Sequence, residues 1–267
     1  MKVIATFVSY IALASAGTLR IFGGEEAKIG QFPYQAAVKT WDWNGQGFVC
    51  GGAIINEHWI LTAGHCIDGV KDGTMIVGSL SLNPTDDDIH AQQRYVTAER
   101  FFVHPGYESG VWINDIAMVY MPEPIEFNEF VQPAELQLDS DETYVGENVN
   151  VAGWGMTSPT GPSEDLLFAQ LKVHDLKVCQ DFFSIVFDDT QICVAGTKTQ
   201  SPCPGDSGGP LVLADRPNYV AIGVVSFGMD CFGSGDPVGF ARNSAQKQFI
   251  EETMNSVTSL VVKVNVK

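Results

Sequence analysis

Basic residues are scarce in this 267-residue chain. Lysine and arginine together number 15 against 32 aspartates and glutamates, a formal net charge of -17. Nucleic acids and anionic membrane surfaces would repel such a chain, so neither is predicted as a partner. After the first residues, no apolar run is long enough to cross a bilayer, and no internal repeat or low-complexity segment occurs. A hydrophobic content of 45% still suffices for a substantial core.

Metal-binding patterns are missing as well. The chain has no Cys-x-x-Cys motif and no paired-histidine spacing, and we predict neither a metal ion nor a cofactor. The acidic run Asp86–Asp88 could ligate calcium, but adjacent carboxylates without further acidic ligands are typical of a solvated loop. The one Asn-x-Ser/Thr match, Asn83–Thr85, has proline in its middle position, so N-glycosylation is not expected.

The amino terminus has the layout of a secretory signal. Lys2 precedes an apolar run from Val3 to Leu13, and small residues follow at Ala14–Ala16. The run is too short to span a bilayer, and a core strand is the alternative interpretation. We predict cleavage after Ala16 and a secreted, extracellular protein. In an exported chain the six cysteines predict three disulfides, for which the sequence alone allows fifteen pairings.

Short apolar runs interrupted by Gly, Pro and Asn predict strands. The clearest of them are Gln35–Val38, Ala53–Ile55, Trp59–Thr62 and Asn148–Ala152. Only two stretches favour a helix, one near Cys179 and one at Ala245–Met254. A parallel α/β architecture needs long amphipathic helices between its strands, so the pattern predicts an all-β protein.

Three motifs carry chemistry when they are taken together. They are Thr62–Cys66, Asn114–Met118 and Gly205–Pro210, in that order along the chain. A serine hydroxyl is a poor nucleophile at neutral pH, so it needs a histidine to remove its proton and a buried carboxylate to hold that histidine. His65, Asp115 and Ser207 supply these three parts. A lone histidine or glycine-rich turn would be weak evidence, but the ordered set predicts a catalytic triad.

On these motifs the chain resembles the chymotrypsin family of serine proteases, from Ile21 to about Met254. The resemblance implies two packed six-stranded antiparallel β-barrels with a C-terminal α-helix. It implies a protease domain over residues 21–256, with the barrels meeting near residues 123–133, where several prolines interrupt regular structure. Residues 257–267 form an extension, either an extra edge strand or disordered. Of the fifteen possible disulfide pairings, the resemblance selects Cys50–Cys66, Cys179–Cys193 and Cys203–Cys231.

The resemblance also implies a zymogen. Residues 17–20 are then an activation peptide, cleaved after Arg20. In relatives the ammonium freed at the new first residue, here Ile21, folds inward and pairs with the aspartate beside the catalytic serine, here Asp206. A charge buried in this way needs a partner, so we expect the uncut chain to be largely inactive.

The family's other functional positions carry over residue by residue. The backbone N–H groups of Gly205 and Ser207 form the oxyanion hole. The substrate-binding positions are Ser201, Ser226, Phe227, Gly228 and Val238. Of these, Ser226 supports Asp115 from the side away from His65, and Phe227 replaces the tryptophan of most relatives.

The specificity pocket is predicted to be apolar. Neutral Ser201 stands at the base, where trypsin-like members carry aspartate, so a substrate lysine or arginine would lack a counter-charge. Gly228 leaves the entrance open, and Val238 shortens the cavity, which favours Leu, Ala or Val over Phe and Tyr. If Asp236 turned inward, this rejection of basic residues would weaken. Pro204 replaces a side chain that overhangs the pocket in relatives, and catalysis should tolerate it.

The sequence therefore predicts a secreted, monomeric serine endopeptidase that cleaves after apolar residues and resembles invertebrate digestive enzymes. Its predicted partners are protein or peptide substrates, protein protease inhibitors and an activating trypsin-like protease. A catalytically silent homologue that binds or regulates other proteins is the alternative. An enzyme with a dedicated target, such as a venom or tissue-invading protease, is a third interpretation that the residues do not separate from digestion.

Overall fold

The computed structural model describes residues 23–158, 161–183 and 187–265. The predicted signal segment and the activation residues Arg20 and Ile21 lie outside these ranges. Within them, the strands are β1 (Glu25–Glu26), β2 (Gln35–Asp42), β3 (Gly47–Asn56), β4 (Trp59–Thr62), β5 (Val70–Val77), β6 (Gln92–Thr97), β7 (Phe101–Val103), β8 (Ala117–Tyr120), β9 (Glu135–Leu136), β10 (Asn148–Gly153), β11 (Met156–Ser158), β12 (Gly161–Pro162), β13 (Leu167–His174), β14 (Gln191–Ala195), β15 (Pro210–Leu213), β16 (Val220–Phe227) and β17 (Pro237–Arg242). The helices are α1 (Gly64–Ile67), α2 (Leu176–Phe183) and α3 (Lys247–Asn265).

The strands form two large, mainly antiparallel sheets, one built mostly from each half of the chain; β1 joins the C-terminal sheet beside β13, and β9 pairs with β16 in parallel. The N-terminal sheet runs in the order β6-β5-β2-β3-β4-β8-β7, and its edge strands β6 and β7 do not pair with each other in the described residues. In the C-terminal half, the order β13-β10-β15-β16-β17-β14 is closed into a six-stranded barrel by the β13–β14 pairing. The predicted all-β, chymotrypsin-like fold is confirmed, with the N-terminal unit curled and open at one seam.

Alternating burial along the strands builds the core of the closed barrel. In β13 every second residue from Leu167 to Val173 is buried, while Gln170 and Lys172 between them face solvent. Successive side chains in a strand point to opposite faces, so this spacing puts Leu167, Ala169, Leu171 and Val173 inside the barrel. Burying one such Leu or Val side chain stabilises the fold by roughly 1.5–3 kcal/mol. The predicted helices near Cys179 and Ala245–Met254 are confirmed as α2 and α3.

Residues 257–265 of the C-terminal extension are helical, and for them our expectation of an edge strand or a disordered tail is wrong. Helix α3 continues without a break to Asn265. Ile250 and Val257, seven residues apart on one helix face, are buried in the core of the N-terminal sheet. A helix anchored in this way can add residues without a new nucleation step, which outweighs the modest helix propensity of valine.

Three disulfides join the cysteines in the pairing that the resemblance implies. They are Cys50–Cys66, Cys179–Cys193 and Cys203–Cys231, with sequence separations of 16, 14 and 28. In the chain-entropy account each loop of this size stabilises the fold by roughly 3 kcal/mol. The first and third flank His65 and Ser207, so they also fix the geometry of the candidate site. Among the described helices, none combines the length and apolar character needed to cross a bilayer.

Candidate active site

Strand pairing brings His65 and Asp115 together although they are fifty residues apart. His65 lies in α1 just after β4, and Asp115 lies just before β8; β4 and β8 are antiparallel neighbours, with Thr62 opposite Ala117. His65 Nδ1 is 2.8 Å from Asp115 Oδ2, and the His65 backbone N–H donates to Oδ1 at 2.9 Å. Two contacts to one carboxylate fix both the position and the tautomer of the imidazole, leaving Nε2 as the free acceptor.

Asp115 is fully buried, and its neighbours hold it in place. The Ser226 hydroxyl donates to Oδ2 at 2.5 Å, as the resemblance implies. Asn114 adopts a left-handed backbone with a φ of 50°, a conformation that Asn tolerates better than most residues. Its side chain donates to the Gly106 carbonyl and accepts from Gln246 of the segment before α3. The carboxylate is thus oriented from three directions and cannot swing away from His65.

Ser207 is carried on a tight turn that bridges the two halves of the protein. Its carbonyl accepts the Gly51 N–H of β3 at 2.7 Å, and Gly208 follows with a φ of 80°. A Cβ at Gly208 would lie 2.2 Å from Thr62 Oγ1, so only glycine fits there. Ser207 and His65 line the same cavity. Among the described residues no hydrogen bond joins them, and in unliganded proteases this contact often tightens only with substrate.

Two backbone N–H groups at this turn have no partner. Among the described residues, neither the Gly205 nor the Ser207 N–H donates a hydrogen bond. The Pro204 carbonyl accepts the Met156 N–H at 2.8 Å. In a trans peptide the carbonyl and the N–H point in opposite directions, so the Gly205 N–H points away from Met156. Gly205 has a φ of 101° and lies against Gly155, where a side chain would be crowded. Unpaired N–H groups in a packed turn are rare, and here both suit a developing oxyanion.

Asp206 points inward, away from the cavity, and is fully buried. Its two carboxylate oxygens accept the N–H groups of Gly155 and Cys203, each at 2.8 Å. Burial raises the pKa of Asp206 to about 6, and these two hydrogen bonds oppose the shift. A Cβ at Gly153 would lie 2.2 Å from the carboxylate, so glycine is needed to leave room for it. No cation pairs with Asp206 within the described residues.

A cavity of about 190 Å³ opens beside Ser207. Its lining is mostly apolar: His65, Trp112, Pro202, Cys203, Pro204, Ser207, Val225, Ser226, Phe227, Gly228, Met229, Asp230, Cys231 and Val238. Gly228 and Val238 face each other, since a Cβ on Gly228 would lie 3.5 Å from Val238 Cγ2. The Phe227 ring rests on Gly239, whose Cβ position it would overlap at 2.5 Å.

Two predicted pocket features lie elsewhere. Ser201 is buried, but its hydroxyl donates to the Pro202 carbonyl, and it is not among the described residues that line the cavity. Asp236 also stays out of the lining; its N–H donates to Ser234 Oγ and its carbonyl accepts from Gly196. Of the two residues predicted to close the cavity, Val238 lines it and Ser201 does not.

Five lining residues were not predicted from the sequence: Trp112, Pro202, Val225, Met229 and Asp230. Trp112 stands edge-on to the His65 ring at 5.7 Å and stacks on Phe227 at 5.8 Å, with an unusual φ of 60°. Asp230 stands at the exposed mouth, where its carboxylate accepts the Phe232 N–H. In the sequence, the only indication that these two residues belong to the site is their position: Trp112 lies two residues before Asn114, and Asp230 lies two residues after Gly228. Cys50, His65 and Cys66 also bring three potential metal ligands close together. The two cysteines form a disulfide, so their sulfurs are not thiolate ligands.

Known proteins share this architecture. Residues 21–250 match the family described as Trypsin. Phenoloxidase-activating factor 3 of Holotrichia diomphalia is 32% identical over 255 residues, which cover 88% of this chain and 72% of that protein. Collagenase of Hypoderma lineatum is 32% identical over 241 residues, 87% of this chain and 86% of that one. The solved structure of HL collagenase gives a TM-score of 0.78 at 29% identity and covers 87% of this chain and 97% of its own. This chain belongs to the trypsin family of serine proteases.

Proposed function

We propose that this chain is a secreted serine endopeptidase, made as a zymogen, that cleaves after apolar residues through an acyl-enzyme. One observation carries the proposal: His65, which Asp115 holds, and Ser207 line one apolar cavity, and the N–H groups of Gly205 and Ser207 have no partner among the described residues. A base, its orienting carboxylate, a nucleophile and an oxyanion site are the complete set that acyl transfer requires.

In the proposed mechanism, Ser207 Oγ attacks the scissile carbonyl while His65 Nε2 takes its proton. Asp115 stabilises the imidazolium through the Nδ1 hydrogen bond and remains ionised. The negative charge on the carbonyl oxygen is received by the Gly205 and Ser207 N–H groups. His65 then returns the proton to the departing amine, and water repeats the sequence to release the acyl group.

The cavity favours an apolar side chain before the cleaved bond. Val238 and the Cys203–Cys231 disulfide present no charge to a lysine or arginine that enters it. Among the described residues, Asp230 is the one carboxylate in the lining and is exposed to solvent, so water screens its charge and it compensates little for a buried ammonium.

Val238→Gly is expected to change which apolar residue is preferred. Removing the isopropyl group opposite Gly228 deepens the cavity, so kcat/KM for Phe relative to Leu should rise by about 10- to 100-fold. Two peptides that differ only in the residue before the cleaved bond give this ratio directly. Val145→Gly, at an exposed position outside the cavity, is the matched control. A Phe/Leu ratio that stays constant in a well-folded Val238→Gly protein would remove Val238 from the pocket.

The proposed setting is extracellular, and the proposed partners are protein substrates, protein inhibitors and an activating trypsin-like protease. The similarity to an enzyme named collagenase over nearly all of that chain supports a protein substrate. The similarity to a protein named phenoloxidase-activating factor 3 supports a protein as the target. The three disulfides fit an oxidising compartment.

The proposal is tested by treating the secreted protein with trypsin, verifying cleavage after Arg20, and assaying peptides that vary only in the residue before the cleaved bond. We expect hydrolysis after cleavage, with Leu preferred to Lys by about 100-fold because a charge buried without a partner is costly. A preference for Lys or Arg would contradict the pocket assignment. The absence of hydrolysis from a fully cleaved, folded protein would favour the silent homologue.

A further inference from the structure

The C-terminal end of the chain reaches back to the segment that carries Asp115. A short turn at Ser244–Gln246 follows β17 of the closed barrel and leads directly into α3. Ile250, in the first turn of α3, is buried in the core of the N-terminal sheet. The start of α3 therefore lies between the two halves of the protein, where its side chains can contact the segment before β8.

Asn114, immediately before Asp115, has a strained backbone. Its φ of 50° lies in the left-handed region, which residues with a side chain enter at an energetic cost. Trp112, two residues earlier, is left-handed as well, with a φ of 60°. Conformations of this kind persist only where surrounding contacts hold them, and they cluster at functional sites. The direction of the Asp115 side chain follows from the backbone of Asn114, so contacts that hold Asn114 also hold the carboxylate.

A closed set of contacts joins Asn114 to the start of α3. Gln246 Nε2–H donates to Asn114 Oδ1 at 3.2 Å, and Asn114 Nδ2–H donates to the Gly106 carbonyl at 3.0 Å. The Gly106 N–H in turn donates to His104 Nδ1 at 2.9 Å. The His104 ring packs on Phe249 of α3, with 4.8 Å between the ring centroids. We call these five residues the C-terminal clasp.

Each contact of the C-terminal clasp depends on burial. Gln246 is 2% exposed, so water does not readily replace its bond to Asn114. Burial lowers the pKa of His104, so its ring is neutral at neutral pH and Nδ1 can accept the Gly106 N–H. None of the five residues is among the described residues that line the cavity beside Ser207. The clasp therefore bears on the geometry of the triad and leaves the substrate cavity alone.

On the basis of the function proposed above, we propose that Gln246 and Phe249 are positioning residues that hold Asp115 in place beside His65. They touch neither the substrate nor the reacting atoms and act through Asn114. Activity then requires that the start of α3 be docked on the N-terminal half, so the C-terminal end of the chain takes part in arranging the active site. Without the clasp the carboxylate is present but misaligned.

Gln246→Met tests this role, because methionine keeps the length of the side chain but has no N–H donor. We expect kcat to fall by about 10- to 100-fold and KM to stay within about twofold, since a small misplacement of a catalytic group slows the chemical step. Phe249→Leu keeps an apolar group but removes the ring beside His104, and it should lower kcat by about threefold. The kinetics use protein cleaved after Arg20 and a peptide with leucine before the cleaved bond.

Gln132→Met is the matched control, because the Gln132 amide also donates to a backbone carbonyl, that of Asn128, and lies outside both the clasp and the cavity. It should keep the wild-type kcat. Asn114→Gly adds a second check, because it removes the acceptor of Gln246, so adding Gln246→Met to it should cause no further loss. A wild-type kcat in Gln246→Met, an equal loss in Gln132→Met, or an additive loss in the Asn114→Gly protein would overturn the proposal.

Proton NMR on an inactive protein separates this inference from the proposed function. In Ser207→Ala protein, the Nδ1 proton of His65 is protected by its bond to Asp115 and should give a resolved signal. Adding Gln246→Met should broaden this signal, because a mobile carboxylate lets the proton exchange with water, whereas adding Gln132→Met should not. If the cut wild-type protein cleaves no peptide but the signal depends on Gln246, the endopeptidase proposal fails and the clasp stands. An identical signal with and without Gln246→Met would overturn the clasp alone.

Discussion

Replacing Ser207 with alanine is expected to lower kcat by about 10⁶-fold on a peptide with Leu before the cleaved bond. The reason is that the nucleophile and its base act as one unit, so removing either abolishes nearly all of their contribution. The residual rate should reflect only the oxyanion donors and substrate binding, which the variant retains. The comparison uses protein cleaved after Arg20, with initial rates measured under saturating peptide.

Two controls make the Ser207 result decisive. Ser256→Ala changes a serine of α3 that is not in the cavity lining and should keep full activity. Thermal unfolding should give the same Tm for Ser207→Ala and wild type, because the Ser207 hydroxyl makes no hydrogen bond among the described residues. If wild type and Ser207→Ala hydrolyse the peptide at the same low rate, the chain is a silent homologue and the mechanism proposed above does not operate.

The sequence pointed to the three candidate triad residues because each lies in a local motif at the end of a strand, and the structure brings two of them, His65 and Asp115, into contact. Pairing of β4 with β8 brings His65 to Asp115, and that pairing follows from apolar runs readable in the sequence. The all-β fold was predictable for the same reason: the alternation in segments such as β13 forces one face inward.

The cavity was less predictable because its walls come from loops. Trp112 reaches His65 only through a backbone conformation that propensity disfavours, so its position depends on tertiary contacts with Phe227. Both Ser201 and Val238 were predicted to line the cavity, and only Val238 does, because lining depends on the direction of each side chain, which spacing does not specify. The helical extension of α3 was not predicted for another reason. Val257 packs into the core of the N-terminal sheet, which is distant along the chain, and the local sequence does not reveal that contact.

Cleavage after Arg20 is expected to raise the stability of the protein at pH 7.5 and to leave it nearly unchanged at pH 4. In the described structure burial raises the pKa of Asp206 from 3.8 to about 6. The folded state therefore retains a proton that the unfolded chain has released, and the free energy of unfolding falls as pH rises from about 4 to about 6. A shift of about two pKa units corresponds to a loss of about 3 kcal/mol at neutral pH.

The ammonium group that cleavage creates at Ile21 would remove this penalty by pairing with the Asp206 carboxylate. Pairing with a cation lowers the pKa of Asp206, because the cation favours the charged carboxylate. The charged form then no longer destabilises the folded state or the turn that holds Gly205 and Ser207. A recovery of about 3 kcal/mol corresponds to a Tm about 6–12 °C higher for a domain of this size. Activity should rise with the same event, because stabilising Asp206 also stabilises the turn that presents the Gly205 and Ser207 N–H groups.

Scanning calorimetry of cut and uncut protein from pH 4 to pH 7.5, with activity assayed alongside, measures both effects. Asp206→Asn is the matched control, because the amide keeps the size of the side chain but carries no charge at any pH in this range. In that variant the Tm difference between cut and uncut protein should no longer depend on pH, and cleavage should raise activity little. If wild type instead gives equal Tm values before and after cleavage at both pH values, the ammonium of Ile21 does not reach Asp206. Activation by cleavage after Arg20 would then have to be abandoned.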